Sequence, residues 1–259
     1  MIQFDCHAHV YETVTAVKGA RYVPAAPAPL ADWLAHQAAH GLKGGVIVQV
    51  SFLGTDNSEL CAALAGLDRQ RFAGVGVVPL DVGEAALDAL VAAGVRGLRW
   101  NLVRGVTLPD LAAPATRRFL DLLRARGLHL DIHLEGPRLA GWLPALTDQG
   151  VDVVIDHFGL PGEPDAGRDP LIGAVAGLAD RSTLFFKFSA GYRVPFDIRP
   201  HATELLSLIG LDRVVWGSDW PHTQHESRTS YASTREAAHH WGPLADQAAA
   251  RHLYGIGPA

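Results

Sequence analysis

The chain has 259 residues, 48% of them hydrophobic, and a net charge of −5. It is long enough to bury one large core, and it lacks the basic surplus of a nucleic-acid partner. Two cysteines make no disulfide framework, no basic segment leads into an apolar N-terminal run, and no apolar stretch reaches the roughly 18 residues of a membrane span. The expectation is therefore a cytoplasmic protein of a single domain, residues 1–259, with no nucleic-acid or membrane partner.

In chain order, short apolar runs alternate with Ala/Leu-rich stretches of helical spacing. The first run, IQFDCHAHV, reads as a strand, and His7 and His9, two apart, share one face of it. An irregular connection, residues 11–29, follows and ends in VPAAPAP; it crosses the mouth of the fold or runs along its outside. Next come a helix in LADWLAHQAAHG, a strand in GVIVQVSF, a helix in SELCAALAGLDRQ and a strand in FAGVGVVPL. GEAALDALVAAG, VRGLRWNLV, APATRRFLDLLRARG, LHLDIHLEG, RLAGWLPALTDQG and VDVVIDHFG continue the alternation. TLFFKFSAG, TELLSLIG and RVVWGSDWPH complete it. Many helical stretches stop at Gly, and the strands are apolar without strict alternation, as in a parallel sheet buried on both faces. Eight such strands predict an α/β protein, a (β/α)8 TIM barrel, with its active site at the C-terminal ends of the strands. The alternative, an open doubly wound sheet, lacks its glycine-rich dinucleotide fingerprint here.

Those strand ends are unusually polar. They carry His7 and His9; Gln49 and Ser51; Arg99 and Asn101; Asp131 and His133; Asp156 and His157; Lys187 and Ser189, then Tyr192 and Arg193; and Asp219, then His222 in the loop beyond, read as exposed. Buried polar groups cost free energy unless paired, so a barrel built for stability alone would not collect them at one rim.

The pattern resembles the amidohydrolase superfamily: HxH on strand one, His on strands five and six, and WGSDWPH on strand eight. The likeness runs from residue 5 to the terminal AARHLYGIG. QVSFLGTDN, RGLRWN, HLEG, DHFG and KFSAGYR resemble the branch that includes pyrone-dicarboxylate lactonase and sugar lactonases. The resemblance implies attack by an activated water on a lactone or amide, with a decarboxylase side branch. It implies one divalent cation held by His7, His9, His133 and Asp219. Three nitrogens and a carboxylate suit Zn²⁺, with Mn²⁺ as the alternative. Asp219 serves also, or instead, as the general base, and His157 polarises the scissile carbonyl or holds the water.

Two departures from the family shape this expectation. Arg99 stands where dinuclear members place a bridging lysine, which argues for a single metal. His133 stands where the metal-independent lactonase type has Tyr, which favours a metal; chemistry without one stays open, with His133 then a hydrogen-bonding residue. Arg99 and Arg193 are the expected anchors of a substrate carboxylate, since a guanidinium fork matches one. By resemblance Ser51, Asn101 and Tyr192 line the same pocket, and His222 borders it. The family's second arginine has only a shifted match here, Arg104 followed by Gly105, and Lys187 reads as a buried partner of an acid. The leading expectation is a lactonase acting on a small carboxylate-bearing lactone. The alternatives are a metal-dependent decarboxylase of an unsaturated acid and a non-catalytic small-acid binding barrel. Ala-rich surface helices are compatible with a homodimer.

Overall fold

The computed structural model describes residues 1–257. Eight parallel strands, β1 (Phe4–Ala8), β2 (Gly44–Val48), β3 (Phe72–Gly76), β4 (Val95–Asn101), β5 (His129–His133), β6 (Val153–Ile155), β7 (Leu184–Ser189) and β8 (Val214–Gly217), pair in sequence order. The sheet closes between its first and last strands: His9 N–H donates to Trp220 O at 2.7 Å, and Asp219 N–H to His7 O at 2.8 Å. The protein is a TIM barrel.

Helices α1 (Leu30–Ala39), α2 (Ser58–Ala65), α3 (Glu84–Ala93) and α4 (Pro114–Arg126) follow the first four strands. Gly94 and Gly127 stop α3 and α4 in left-handed conformation, the expected helix-stop geometry. The stretch RLAGWLPALTDQG, expected as one helix, divides into α5 (Gly136–Ala140) and α6 (Leu143–Thr147). Pro144 explains the break: it fits a first turn but cannot donate to a preceding one. Then come α7 (Pro170–Gly177), α8 (Arg199–Ile209), α9 (Tyr231–Ala238) and α10 (Gln247–Tyr254). Among the described residues no helix is long and apolar enough to cross a membrane.

The core has two parts. Leu98, Trp100, Leu130, Ile132, Val153, Ile155, Phe186, Phe188 and Trp216 point outward into the layer beneath the helices. Phe4, Cys6, Val46, Val48, Val75, Val154, Phe185 and Val215 fill the barrel, which Leu253 and Tyr254 of α10 cap from below. The alternate residues Arg99, Asn101, Asp131, His133, Asp156, Lys187 and Ser189 therefore also point inward, toward the mouth.

Strand β1 breaks this alternation. Its register against β2 shifts between Asp5 and Ala8, a bulge. Phe4 and Cys6 face the barrel interior, while Ala8 and Val10 join the outer layer. The bulge thus lets both Cys6 and His7 face inward, with His9 beside His7, and leaves Asp5 outside. There Asp5 receives Trp33 Nε1–H (2.8 Å), Ser218 N–H (2.8 Å), Ser218 Oγ–H (2.7 Å) and Tyr231 Oη–H (3.0 Å), tying β1 to the segment after β8.

Candidate active site

Four acceptor-type atoms face one another at the barrel mouth. The Nε2 atoms of His7, His9 and His157 each lie 3.8 Å from Asp219 Oδ1. All four residues are buried. His9 Nδ1 donates to Val48 O at 2.8 Å; a carbonyl cannot donate, so His9 Nε2 must carry a lone pair. His157 Nδ1 bonds Ser189 Oγ at 2.7 Å. Burial above all, helped by Arg99 against His9, holds the His9 pKa down to about 4. Burial likewise holds His157 to about 4 and His7 well below the usual imidazole range. Burial alone would raise the Asp219 pKa, but Arg193 and the surrounding imidazoles outweigh it and hold the carboxyl well below its ordinary value.

Lone pairs and a carboxylate oxygen so close repel unless something positive sits among them, and the rings resist protonation. Among the described residues, His7 Nε2 and Asp219 Oδ1 are buried and have no hydrogen-bond partner. Tetrahedral Zn²⁺ bonds of about 2.0–2.1 Å would set ligand atoms roughly 3.4 Å apart, a few tenths of an ångström inside the present spacing. His7, His157 and Asp219 therefore fit a single divalent cation, with His9 Nε2 beside Asp219 Oδ1. His133 stands one ring away, edge-on to His157 with centroids 5.0 Å apart. It groups with Asp156 and His157, while His7, His157 and Asp219 form a second set of donor atoms. His157 therefore stands with His7 and Asp219, and His133, expected as a ligand, stands beside it.

Above these groups lies a cavity of about 280 Å³, lined by His9, Ser51, Arg99, Asn101, His133, His157, Arg193 and Asp219 and, at its rim, by Arg21, Tyr22, Arg104, Glu135 and Gln224. Arg99 Nε bonds Asp156 Oδ2 at 2.8 Å. Arg193 is committed to Asp219: its Nε and Nη2 donate to Oδ2 at 2.9 and 2.6 Å, and Tyr192 Oη donates to the same oxygen at 2.5 Å. Asp219 thus turns Oδ2 to Tyr192 and Arg193 and Oδ1 to the imidazoles. Ser51 opens a short 3₁₀ turn after β2, and Asn101 ends β4 with Oδ1 buried and unbonded. Tyr192 and His222 stand off the cavity wall.

The reading of His222 as exposed needs correction, for it is 3% exposed. Its backbone N–H turns back to Asp219 O at 2.7 Å, which folds the ring in beside Tyr192. The 11–29 connection crosses the mouth: Arg21 Nη1 donates to Val103 O at 2.7 Å, and Tyr22 Oη to Glu226 Oε1 at 2.5 Å. Arg21 and Tyr22 escaped the sequence reading because irregular loops have no period from which to place a side chain. Left-handed backbone, uncommon for non-glycine residues, occurs at His157, Asp219 and His222.

The amidohydrolase family model matches residues 4–255, nearly the whole chain. The chain belongs to the amidohydrolase family. Among relatives of this amidohydrolase, 4-sulfomuconolactone hydrolase of Rhizobium radiobacter is 29% identical over 228 residues, which cover 85% of this chain and 76% of that protein. The 2-pyrone-4,6-dicarboxylate hydrolase of Comamonas testosteroni is 28% identical over 243 residues, covering 84% and 76% respectively. A crystal structure of a probable 2-pyrone-4,6-dicarboxylic acid hydrolase from Acinetobacter baumannii, with citric acid bound, superposes on the amidohydrolase barrel with a TM-score of 0.88. It is 32% identical, over 98% of this chain and 100% of that one.

Proposed function

We propose that this amidohydrolase hydrolyses a small lactone that bears an anionic group, using a single divalent cation. The observation that carries the reading is the convergence of three imidazole Nε2 atoms on Asp219 Oδ1 beneath a cavity walled by arginines. The relatives support it, because those whose names state a reaction of this type open lactones carrying sulfonate or carboxylate groups. A cavity of about 280 Å³ suits a compact ring acid.

In this reading His7, His9, His157 and Asp219 hold the cation, with Zn²⁺ the better match to this donor set and Mn²⁺ the alternative. When bound, such a cation supplies Lewis-acid polarisation and acidifies water. The chain's own groups do the rest. Asp219 stays ionised through the working pH range and takes the proton from the attacking water at Oδ1, while Tyr192 and Arg193 fix its other oxygen. His157, neutral, is oriented by Ser189 at Nδ1 so that its Nε2 faces the cation position. His133 and Asn101 present polar atoms to the ring, and Ser51 closes the wall opposite. Arg99 anchors the substrate's acid group from the cavity floor, its Nε already held by Asp156. Arg193 acts mainly through Asp219.

The test joins metal content to turnover. Protein purified without chelator should hold about one Zn²⁺ or Mn²⁺ per chain, as expected for a mononuclear site. It should open anionic lactones with release of a proton and no CO₂, lose activity on chelation and regain it on re-addition. Turnover that survives complete stripping overturns the metal assignment, and CO₂ release overturns the lactonase.

A further inference from the structure

The HLEG stretch holds an acid that the proposed chemistry does not use. Glu135 stands between β5 and α5, at the rim of the cavity. Its Oε1 accepts the backbone N–H of Arg104 at 2.6 Å, and its Oε2 accepts Arg138 Nη1–H at 2.9 Å. Arg138 reaches further: Nη1 donates to Leu102 O at 2.8 Å and Nη2 to Val106 O at 2.6 Å. The two side chains thus grip the loop after β4 at residues 102, 104 and 106. Partial burial alone would raise the Glu135 pKa, but the bonds from Arg104 and Arg138 outweigh it and hold the carboxyl below its ordinary value.

The gripped loop is strained at one residue. Arg104 has left-handed backbone, φ 62°, which a non-glycine residue keeps only where its surroundings impose it. The Glu135 carboxylate is what meets its N–H. Arg104 also lines the cavity. Its Nη2 donates to Gln224 Oε1 at 2.8 Å, and among the described residues no carboxylate lies within ion-pair distance of its guanidinium. The next carbonyl back, Val103 O, receives Arg21 Nη1 at 2.7 Å, so the 11–29 connection rests on the same loop. Only a carboxylate offers two accepting oxygens to an amide N–H and a guanidinium at once; a side-chain amide turns a donor toward one of them.

We propose that Glu135, with Arg138, is a positioning residue for substrate specificity, holding the loop after β4 in the shape that turns the Arg104 guanidinium toward the acid group of the substrate. Both Glu135 oxygens are occupied, and their charge repels that acid group, so Glu135 acts through Arg104 and not by contact. The effect on substrate rests on the reading of the preceding section; the grip on the loop does not.

The test compares full-length wild type and Glu135→Gln, with Zn²⁺ supplied, on a carboxylate-bearing lactone and on the same lactone with its acid group made a neutral amide. In Glu135→Gln the charged Arg138 takes the remaining oxygen, and the NH₂ faces Arg104 N–H. KM for the anionic lactone should rise about fivefold with a smaller change in kcat, and KM for the amide by less than about twofold. Arg104→Gly keeps the left-handed backbone without the guanidinium; adding Glu135→Gln to it should raise KM little further. The Arg104 amide should be protected from hydrogen exchange in the wild type and exchange at least about tenfold faster in Glu135→Gln. An equal rise in KM for both lactones overturns the proposal, as does a full additive rise in the Arg104→Gly background or an unprotected Arg104 amide in the wild type. Arg138→Ala, which frees residues 102 and 106, should reproduce the KM pattern and decides the matter where Glu135→Gln does not fold. If the wild type turns over neither lactone, the proposed function fails while exchange at Arg104 still judges the grip.

Discussion

Arg21 carries a charge that no carboxylate within ion-pair distance answers among the described residues; its guanidinium donates to the backbone oxygen of Val103. Burial and the nearby Arg104 and Arg99 press its pKa down, as expected where cations crowd one cavity. An anionic substrate relieves that repulsion. Arg21→Ala removes a charge-assisted contact worth about 1.5 kcal/mol, roughly tenfold in binding. KM for an anionic lactone should rise about that much, with a smaller change in kcat, and the gap should narrow in high salt. An unchanged KM would place the substrate's acid group on Arg99 and Arg104. Asp219→Asn probes the other end of the cavity. It keeps the shape but removes the charge that faces three imidazoles, so turnover should fall by about 10²–10⁴-fold and bound metal should be lost with it. Metal retained at full occupancy would confine Asp219 to the proton-transfer role.

At the scale of elements, the strands were legible because they are short runs of β-branched or aromatic residues between helical stretches, most of them ending in polar residues. That logic places Arg99, His133, Lys187 and Asp219 at the mouth from the sequence alone. It does not predict the β1 bulge, because register is a property of two strands and only one is read at a time. Nor does it show that His157, rather than His133, joins His7 and Asp219. That choice depends on the left-handed turn that follows β6, a turn carrying a non-glycine residue. Asp5 was passed over because an acid two residues before a histidine pair reads as part of the same polar face; the bulge instead sends it outward as a tie between β1 and Ser218. Gly217 of β8 shows how close this packing is. A Cβ there would sit 2.4 Å from His7 Cβ and 2.9 Å from His7 N. Gly217→Ala must push β1 aside, at a cost of about 1–3 kcal/mol. It should lower Tm by several degrees and weaken Zn²⁺ binding by at least about tenfold, as displaced ligand support does. A normal Zn²⁺ affinity would mean that β8 alone absorbs the methyl.

At the scale of the whole molecule, the site makes the fold sensitive to acid. His9, His157 and His222 are buried and held to about 4, and His7 and His133 lie well below the ordinary 6.5. The sign follows from which state binds protons. Below pH 6.5 the unfolded chain protonates these imidazoles and the folded one does not, so each group's contribution is complete above 6.5 and is lost as pH falls toward 4. A displacement from 6.5 to about 4 corresponds to roughly 3 kcal/mol per group, so even two or three such groups rival the 5–15 kcal/mol that holds a typical domain. Asp156 and Asp219, with depressed pKa values, extend the loss below the ordinary carboxyl range. The chelated protein should therefore show a Tm that is level from pH 8 to 7 and falls steeply between 6 and 4.5. Zn²⁺ should raise Tm most at neutral pH, where protons do not compete for the ligands. A Tm level down to pH 5 in the chelated protein would mean that the imidazoles are already protonated in the fold. The cluster around Asp219 would then be held together by protons, and the case for a cation there would lose its physical basis.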